Sequence, residues 1–253
     1  MFNKVPEITL VFWIIKILAT TIGETAADVL STTLKLGLVY TSYVMAALLV
    51  VSLIIQFRAR KYVPVIYWIV VVFISVVGTL ISDNLVDNMG VSLATTSTIF
   101  AATLALVFIV WYAVEKTLSV HTIYTTRREL FYWAAILFTF SLGTSAGDLL
   151  SESLGLGYAL AALMFAAAIA VVIIAYRFFG MNGVLAFWIA YVLTRPLGAS
   201  MGDLLTQPRD EGGLGLGTIS TSLVFLVVIV GLVIHLSIQE KKHPLQPVTA
   251  AEA

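Results

Sequence analysis

The sequence predicts an all-α integral membrane protein with eight transmembrane helices, arranged as four tandem parallel two-helix repeats. Three observations predict this fold. Of the 253 residues, 60% are hydrophobic and only 11% are charged, whereas a soluble domain carries about 25% charged residues. Eight apolar segments reach the roughly 20 residues that a helix needs to cross a bilayer, and one short motif occurs four times. The composition excludes a soluble enzyme, a nucleic-acid binder and a disordered chain.

The eight predicted spans form a single transmembrane domain, residues 1–238, with no room for a soluble domain between them. The spans cover residues 8–31, 38–57, 64–86, 91–114, 129–151, 157–178, 184–206 and 217–237. Taken in pairs, they define repeats at approximately 4–60, 61–115, 126–180 and 181–238. Residues 239–253 are predicted to form a short, polar cytoplasmic tail.

Lysine and arginine predict the orientation of the spans, because both are enriched in cytoplasmic loops. One side of the predicted membrane holds ten of them: Lys4, Arg58, Arg60, Lys61, Lys116, Arg127, Arg128, Arg177, Lys241 and Lys242. The opposite loops hold only Lys35 and Arg209. Both termini are therefore predicted to be cytoplasmic.

The overall charge and the lack of cysteine exclude several kinds of partner. The 14 basic and 14 acidic residues balance, so the chain has no positive field to attract nucleic acid. With no cysteines, disulfides and thiolate metal sites are absent.

The five tryptophans mostly lie within two turns of a predicted cytoplasmic helix end. They are Trp13, Trp68, Trp111, Trp133 and Trp188. Because tryptophan is enriched at membrane–water interfaces, we interpret them as an interfacial aromatic belt.

The motif G-x-x-x-small-D-x-L occurs near the end of every odd-numbered span. Its copies are GETAADVL at 23–30, GTLISDNL at 78–85, GTSAGDLL at 143–150 and GASMGDLL at 198–205. A second glycine element follows each copy, so the repeated unit is a helical hairpin. Two helices per unit give every copy the same orientation, as in parallel repeats about an axis along the membrane normal. We expect a pseudo-twofold or pseudo-fourfold ring with helices 1, 3, 5 and 7 inside.

Stepping by four residues from each motif aspartate places polar side chains on one face of each inner helix. The predicted site and pathway residues on these faces are Lys16, Thr20, Glu24 and Asp28, then Thr79, Asp83 and Asp87, then Thr144, Asp148 and Glu152, and finally Arg195 and Asp203. Four polar faces in register are not expected to point at lipid, where ionisable groups are costly and usually functional.

The motif carboxylates predict a cation-handling site. Carboxylates near one axis repel one another unless a bound cation, retained protons or basic partners relieve them. Lys16 and Arg195 are the basic candidates, and they are too few to neutralise five acids. The predicted metal ligands are therefore Asp28, Asp83, Asp148, Asp203 and Glu24. Their hard oxygen donors suit Mn²⁺, Ca²⁺, Mg²⁺, Na⁺ or protons, and a divalent metal ion is the one cofactor candidate.

The repeats, above all KVPEITLVFWIIKILATTIGETAADVL at 4–30 and GTSAGDLL at 143–150, resemble a family of conserved bacterial membrane-anchored proteins of unknown function. The resemblance extends over nearly the whole chain. It implies a bacterial inner membrane and the repeat pattern, and it assigns no substrate. Glu24 has no acidic counterpart at Thr79, Thr144 or Ala199, so any role of Glu24 is specific to the first repeat.

Three functions are compatible with this pattern. The leading prediction is an inner-membrane cation transporter or channel, not an enzyme, with the lipid bilayer and a small inorganic cation as partners. The second is an intramembrane metal-dependent enzyme acting on a lipid, although near-equivalent repeats count against an asymmetric catalytic site. The third is a structural or sensing subunit whose acids pair internally with Lys16 and Arg195. Asp28 lies 22 residues after Pro6, or about 33 Å along a helix, so we expect the aspartates toward the outer membrane face.

Overall fold

The computed structural model describes residues 2–242, which fold into eight long helices with no strands. The helices are α1 (Leu10–Asp28), α2 (Leu38–Arg58), α3 (Pro64–Asp83), α4 (Leu93–Glu115), α5 (Thr126–Asp148), α6 (Tyr158–Phe178), α7 (Gly183–Thr206) and α8 (Thr218–Lys242). All eight are long and apolar enough to cross a membrane, which confirms the predicted multi-pass all-α fold. Helix α8 includes the first four residues of the predicted tail, and residues 243–253 lie outside the described part of the chain.

Short polar side chains and glycines set the starts of the helices. The side chains of Thr9, Ser92, Thr125 and Asn182 accept hydrogen bonds from backbone N–H groups in the first turns of α1, α4, α5 and α7, the usual N-cap arrangement. Gly37 and Gly157 precede α2 and α6 with φ angles of 76° and 73°. Only glycine adopts this left-handed conformation without cost, which explains the glycine element after the motif in these repeats.

The helices form two concentric rings. The inner helices α1, α3, α5 and α7 contact one another in a closed cycle, whereas the outer helix of each repeat packs on the inner helix of the next repeat. Helix α2 packs on α3, α4 on α5, α6 on α7, and α8 returns to α1. Side-chain hydrogen bonds join two of these pairs. Asn84 Nδ2 donates to Ser42 Oγ (2.8 Å), and Ser222 Oγ donates to Thr25 Oγ1 (2.7 Å). Because every outer helix belongs to one repeat and packs on another, the four repeats are interlocked.

The motif glycines hold the inner ring together. Each lies against the residue three positions before the glycine of the next repeat, so closely that an added Cβ would overlap it. The four pairs are Gly23 with Ser75, Gly78 with Phe140, Gly143 with Arg195, and Gly198 with Thr20. The last pair returns to the first repeat, so the pseudo-fourfold cycle closes. Small residues allow this close backbone approach in lipid.

The lipid-facing surface belongs to the outer helices. In the apolar cores of α1, α3, α5 and α7, 61–67% of residues are buried, against 17–28% in α2, α4, α6 and α8. The prediction that the odd-numbered helices lie inside is therefore correct. The polar stripes lie on helices that are shielded from lipid by their neighbours.

The interpretation of the tryptophans as an interfacial belt is wrong for four of the five. Trp68, Trp111, Trp133 and Trp188 are at most 4% exposed. Each inner helix carries a Phe-Trp or Tyr-Trp pair near its start, and Trp68, Trp133 and Trp188 belong to these pairs. Trp111 lies in α4, and its ring stacks on that of Phe131. The first members of these pairs, eleven residues before each motif glycine, form a buried aromatic layer: Phe12, Tyr67, Tyr132 and Phe187. This layer fills the end of the ring opposite the motif aspartates.

The end beyond the aromatic layer is tied together by polar contacts. Lys4 Nζ lies 2.7 Å from Glu129 Oε2, and Gln56 Nε2 donates to Glu129 Oε1 at 3.0 Å. Arg128 Nε lies 2.7 Å from Glu115 Oε2. These contacts join the N-terminal segment, α2, α4 and α5 at this end of the bundle.

Candidate functional site

Three of the four motif aspartates lie where an inner α-helix passes into a π-helical turn. Asp28, Asp83 and Asp148 are the last residues of α1, α3 and α5. A five-residue π-helical turn follows each one directly, at Val29–Thr33, Asn84–Asn88 and Leu149–Ser153. Asp203 instead lies inside α7, three residues before its end. Short π-helical turns are rare and frequently occur at functional sites.

The four motif aspartates lie near one another at the same end of the inner ring. Asp83 lies within electrostatic range of Asp28, Asp148 within range of Asp83, and Asp203 within range of both Asp148 and Asp28. The interactions therefore close a cycle through all four repeats. The structure brings together the aspartates that sequence repetition picked out.

The carboxylates of these aspartates have no protein partners among residues 2–242. None of the four accepts a hydrogen bond from a side chain or forms an ion pair. Their oxygen atoms are also not among the fully buried polar atoms that lack a hydrogen-bond partner. Asp28, Asp83 and Asp148 are partly exposed, whereas Asp203 is buried. We call the region between Asp28, Asp83, Asp148 and Asp203 the acidic vestibule.

The acidic vestibule is not a metal-coordination cage in the described part of the chain. Residues 2–242 contain no group of three or more His, Cys, Asp or Glu side chains placed to hold one metal ion. The five acids predicted as metal ligands therefore do not converge on one point.

Two further acids extend the vestibule outward. Asp87 and Glu152 lie one turn beyond Asp83 and Asp148, in the π-helical turns, and both are exposed. Tyr158 donates its hydroxyl to Glu152 Oε1 at 3.3 Å. Asp28 lies within electrostatic range of both acids. Negative charge therefore continues from the ring to its exposed rim.

One turn inward, Arg195 closes the vestibule. Its fully buried side chain points a single atom, Nη2, at oxygens from the three other repeats. Nη2 donates to Glu24 Oε2 at 3.0 Å, to Thr144 Oγ1 at 2.7 Å and to Thr79 Oγ1. We call Glu24, Thr79, Thr144 and Arg195 the arginine layer.

The repeat alignment explains why the arginine layer contains one arginine. Glu24, Thr79, Thr144 and Ala199 occupy the same motif position. Since Ala199 has no polar group, the fourth helix supplies Arg195 from one turn earlier. The arrangement confirms the suggestion that Arg195 pairs with an acid, and that acid is Glu24.

Lys16 does not pair with an acid in the described residues, contrary to the third sequence-based alternative. Its fully buried ammonium donates to the Tyr191 carbonyl at 2.9 Å and to Thr194 Oγ1 at 2.5 Å. It also lies 4.1 Å from the centre of the Tyr191 ring, a cation–π contact. Thr20, also predicted to support the site, donates to the Ile17 carbonyl at 2.6 Å and packs against Gly198.

The aromatic layer closes the axis below Lys16. The hydroxyls of Tyr67 and Tyr132 lie 2.5 Å apart, and the rings of Phe12 and Phe187 have centroids 6.2 Å apart. Sequence reasoning did not identify this layer as part of the central axis. The sequence did contain a signal for this layer, namely an aromatic residue followed by Trp at a constant distance before each motif glycine. Our interpretation used only the tryptophans of these pairs and placed them at the membrane interface.

The model of a family described as Repeat of Unknown Function (DUF347) matches four segments, 11–62, 66–117, 131–181 and 186–242. Each segment contains one inner helix and the outer helix that follows it. No curated protein and no solved structure matches the chain.

Proposed function

Because the chain belongs to the Repeat of Unknown Function (DUF347) family, whose description names no activity, we propose a function from the site itself. We propose that the protein is a cation transporter or channel of the bacterial inner membrane and has no catalytic role. Both termini lie in the cytoplasm in this proposal. The acidic vestibule takes up a hard cation, one of Mn²⁺, Ca²⁺, Mg²⁺, Na⁺ or H⁺.

One observation carries the proposal: four repeat-equivalent aspartates lie near one another without protein partners. Carboxylates within a membrane protein are costly to desolvate and are usually retained for function. A purely structural ring is expected to provide hydrogen-bond donors for its acids, because an unpartnered polar group is destabilising. A hydrated cation or protons in the vestibule would offset the repulsion that the protein itself leaves uncompensated.

The layers below the vestibule make the described conformation one that is open at the aspartate end and closed at the aromatic end. Arg195 and Lys16 place two basic groups on the route inward, and the aromatic layer fills the axis beyond them. A cation therefore enters from the aspartate end and waits for a conformational change. The proposal accordingly favours a gated channel or a carrier over a permanently open pore.

The distribution of basic residues supports the orientation in the proposal. Lys4, Arg128 and their basic neighbours lie at the aromatic end, where positive residues mark the cytoplasmic side. The acidic vestibule then opens on the opposite side, toward the periplasm. Cations are concentrated there by the exposed charges of Asp87 and Glu152.

A non-transporting structural or sensing subunit is the second candidate, and the arginine layer favours it. Arg195 and Glu24 form the internal ion pair that such a subunit would use, with hydroxyls from two more repeats. This alternative does not account for the four partnerless aspartates. The two functions differ in whether cations cross a membrane that contains only this protein.

Cation flux into liposomes tests the proposal. Purified wild-type protein is reconstituted, and uptake of Mn²⁺, Ca²⁺, Na⁺ and H⁺ is followed with fluorescent indicators. We expect flux of at least one ion and its loss in the Asp83→Asn/Asp148→Asn double variant. The matched control is Asp210→Asn, an exposed aspartate in the loop after α7, which should conduct like wild type. Wild-type flux of every ion in the double variant would remove these carboxylates from the mechanism.

A further inference from the structure

The arginine layer has the composition of a cation site that is already filled. Arg195 Nη2 sits among the Glu24 carboxylate and the hydroxyls of Thr79 and Thr144, each from a different repeat. Nη2 carries two hydrogen atoms, so it has fewer hydrogens to donate than the three oxygens that surround it. Meanwhile Nε and Nη1 of the same guanidinium are buried and have no hydrogen-bond partner among the described residues. One end of the guanidinium is therefore crowded with oxygens, whereas the rest is unsatisfied.

The spacing of the three oxygens matches a particular ion size. Thr79 Oγ1 lies 3.4 Å from Glu24 Oε2 and 3.4 Å from Thr144 Oγ1. Oxygens bound at right angles about 2.3–2.6 Å from Ca²⁺ lie about 3.3–3.7 Å apart, whereas around Mg²⁺ they lie about 2.9 Å apart. Na⁺ has nearly the same radius as Ca²⁺. The site therefore fits Ca²⁺ or Na⁺ better than Mg²⁺.

The charge of the site selects between these two ions. It contains a single carboxylate, Glu24, and in the structure one positive charge, the Arg195 guanidinium, balances it. Within the layer itself, Na⁺ would replace that guanidinium charge for charge, whereas Ca²⁺ would add one positive charge to the balance seen in the structure.

We infer that Glu24, Thr79 and Thr144 form an inner binding site for a monovalent cation of the size of Na⁺, and that Arg195 occupies it as a tethered competitor. This inference rests on the proposed function and names the ion class that passes beyond the acidic vestibule. Arg195 keeps the site closed in the described conformation. An arriving cation takes over the oxygens when the guanidinium leaves.

The surroundings of Arg195 provide a second place for its guanidinium. Asp83 and Asp148, one turn outward, lie within electrostatic range of it and have no other partner. Gly143 packs against Cβ and Cγ of the arginine, so the base of the side chain is fixed and only its outer part can swing. Pro196 follows directly and interrupts the backbone hydrogen bonding of α7, which gives this turn extra freedom.

Removal of the tethered charge should uncover the site for free Na⁺. We propose to measure thermal unfolding of purified Arg195→Gln in NaCl and in N-methyl-D-glucamine chloride at equal ionic strength. With Na⁺ at about ten times its Kd, the unfolding temperature should rise by about 3–6 °C. Wild type and Arg177→Gln, an exposed arginine at the end of α6, should share a smaller response, because Arg195 still occupies the inner site. The double variant Glu24→Gln/Arg195→Gln should lose the additional response, because it lacks the carboxylate.

The outcomes decide the inference even if Arg195→Gln does not fold. Arg195→Lys retains the charge, but its ammonium ends short of the Nη2 position, so Na⁺ should raise its unfolding temperature more than that of wild type. No Na⁺ response in either folded variant overturns the inner site, and a response to Ca²⁺ but not Na⁺ overturns its monovalent assignment. If wild type transports cations but the Arg195 variants show no Na⁺ response, the inner site is overturned and the proposed transport function is not. If a variant responds to Na⁺ but neither wild type nor any variant transports cations, the transport function is overturned and the inner site is not.

Discussion

Arg195 Nη2 lies 3.0 Å from Glu24 Oε2, although 171 residues separate the two along the chain. The contact joins the fourth repeat to the first and lies on the axis of the inner ring. Hydroxyls of the second and third repeats complete it. All four repeats therefore meet at one buried nitrogen atom, and the stability of the ring and the closure of the vestibule depend on the same group.

Glu24→Gln should destabilise the protein strongly. It leaves the buried Arg195 guanidinium without its counter-charge, and breaking a buried pair in this way costs about 3–5 kcal/mol. Glu24→Gln/Arg195→Met removes both charges and should recover most of that loss. Equilibrium unfolding in mixed micelles measures both variants, with the exposed Glu7→Gln as the control. Equal stability of Glu24→Gln and wild type would mean that the pair does not hold the ring together.

Gly143→Ala should destabilise the inner ring, whereas Gly231→Ala should not. An added Cβ at Gly143 would overlap Cβ and Cγ of Arg195, but at Gly231 in α8 nothing lies within 4 Å of it. Overpacking of a tight contact costs about 1–3 kcal/mol. Both substitutions replace glycine by alanine within a helix, so the difference in unfolding free energy isolates the close approach. Similar values for the two variants would contradict the tight packing of α5 against α7.

The aromatic layer should respond differently to one tyrosine substitution and to two. Tyr132→Phe leaves the Tyr67 hydroxyl buried without its 2.5 Å partner, and an unsatisfied buried hydroxyl costs about 1–3 kcal/mol. Tyr67→Phe/Tyr132→Phe removes both hydroxyls and should be more stable than Tyr132→Phe alone. Unfolding free energies of the three forms give the coupling. Additive losses would indicate that the two hydroxyls do not bond to each other.

Hydropathy and residue spacing were sufficient to predict the frame of this protein. Eight apolar segments marked the spans, and the steps of four from Asp28 and its equivalents marked the inward faces. Both signals are local, because a helix presents residues i and i+4 on one side wherever it packs. The ring of aspartates followed from repetition alone, since equivalent residues of parallel repeats must surround one axis.

The exchange of outer helices and the arginine layer could not be predicted in the same way. Nothing in the apolar composition of α2 distinguishes packing on α3 from packing on α1. Arg195 and Lys16 were equivalent candidates in the sequence, but only Arg195 reaches an acid. The difference depends on Gly143, which leaves space for the arginine, and on the Tyr191 carbonyl and ring, which retain the lysine. These are contacts between repeats, and single-sequence patterns do not contain them.

Water access to the aspartate ring tests the central claim most directly, and the absence of cysteine from the chain makes the measurement clean. Asp148→Cys and Ile136→Cys place single thiols on α5 about 18 Å apart along the helix, the first in the vestibule and the second at a fully buried position between the arginine and aromatic layers. In liposomes, a membrane-impermeant thiol reagent should label Asp148→Cys rapidly and leave Ile136→Cys unmodified until the protein is denatured. An unreactive thiol at position 148 in folded protein would show that the ring is dry, and would contradict the acidic vestibule and the cation function built on it.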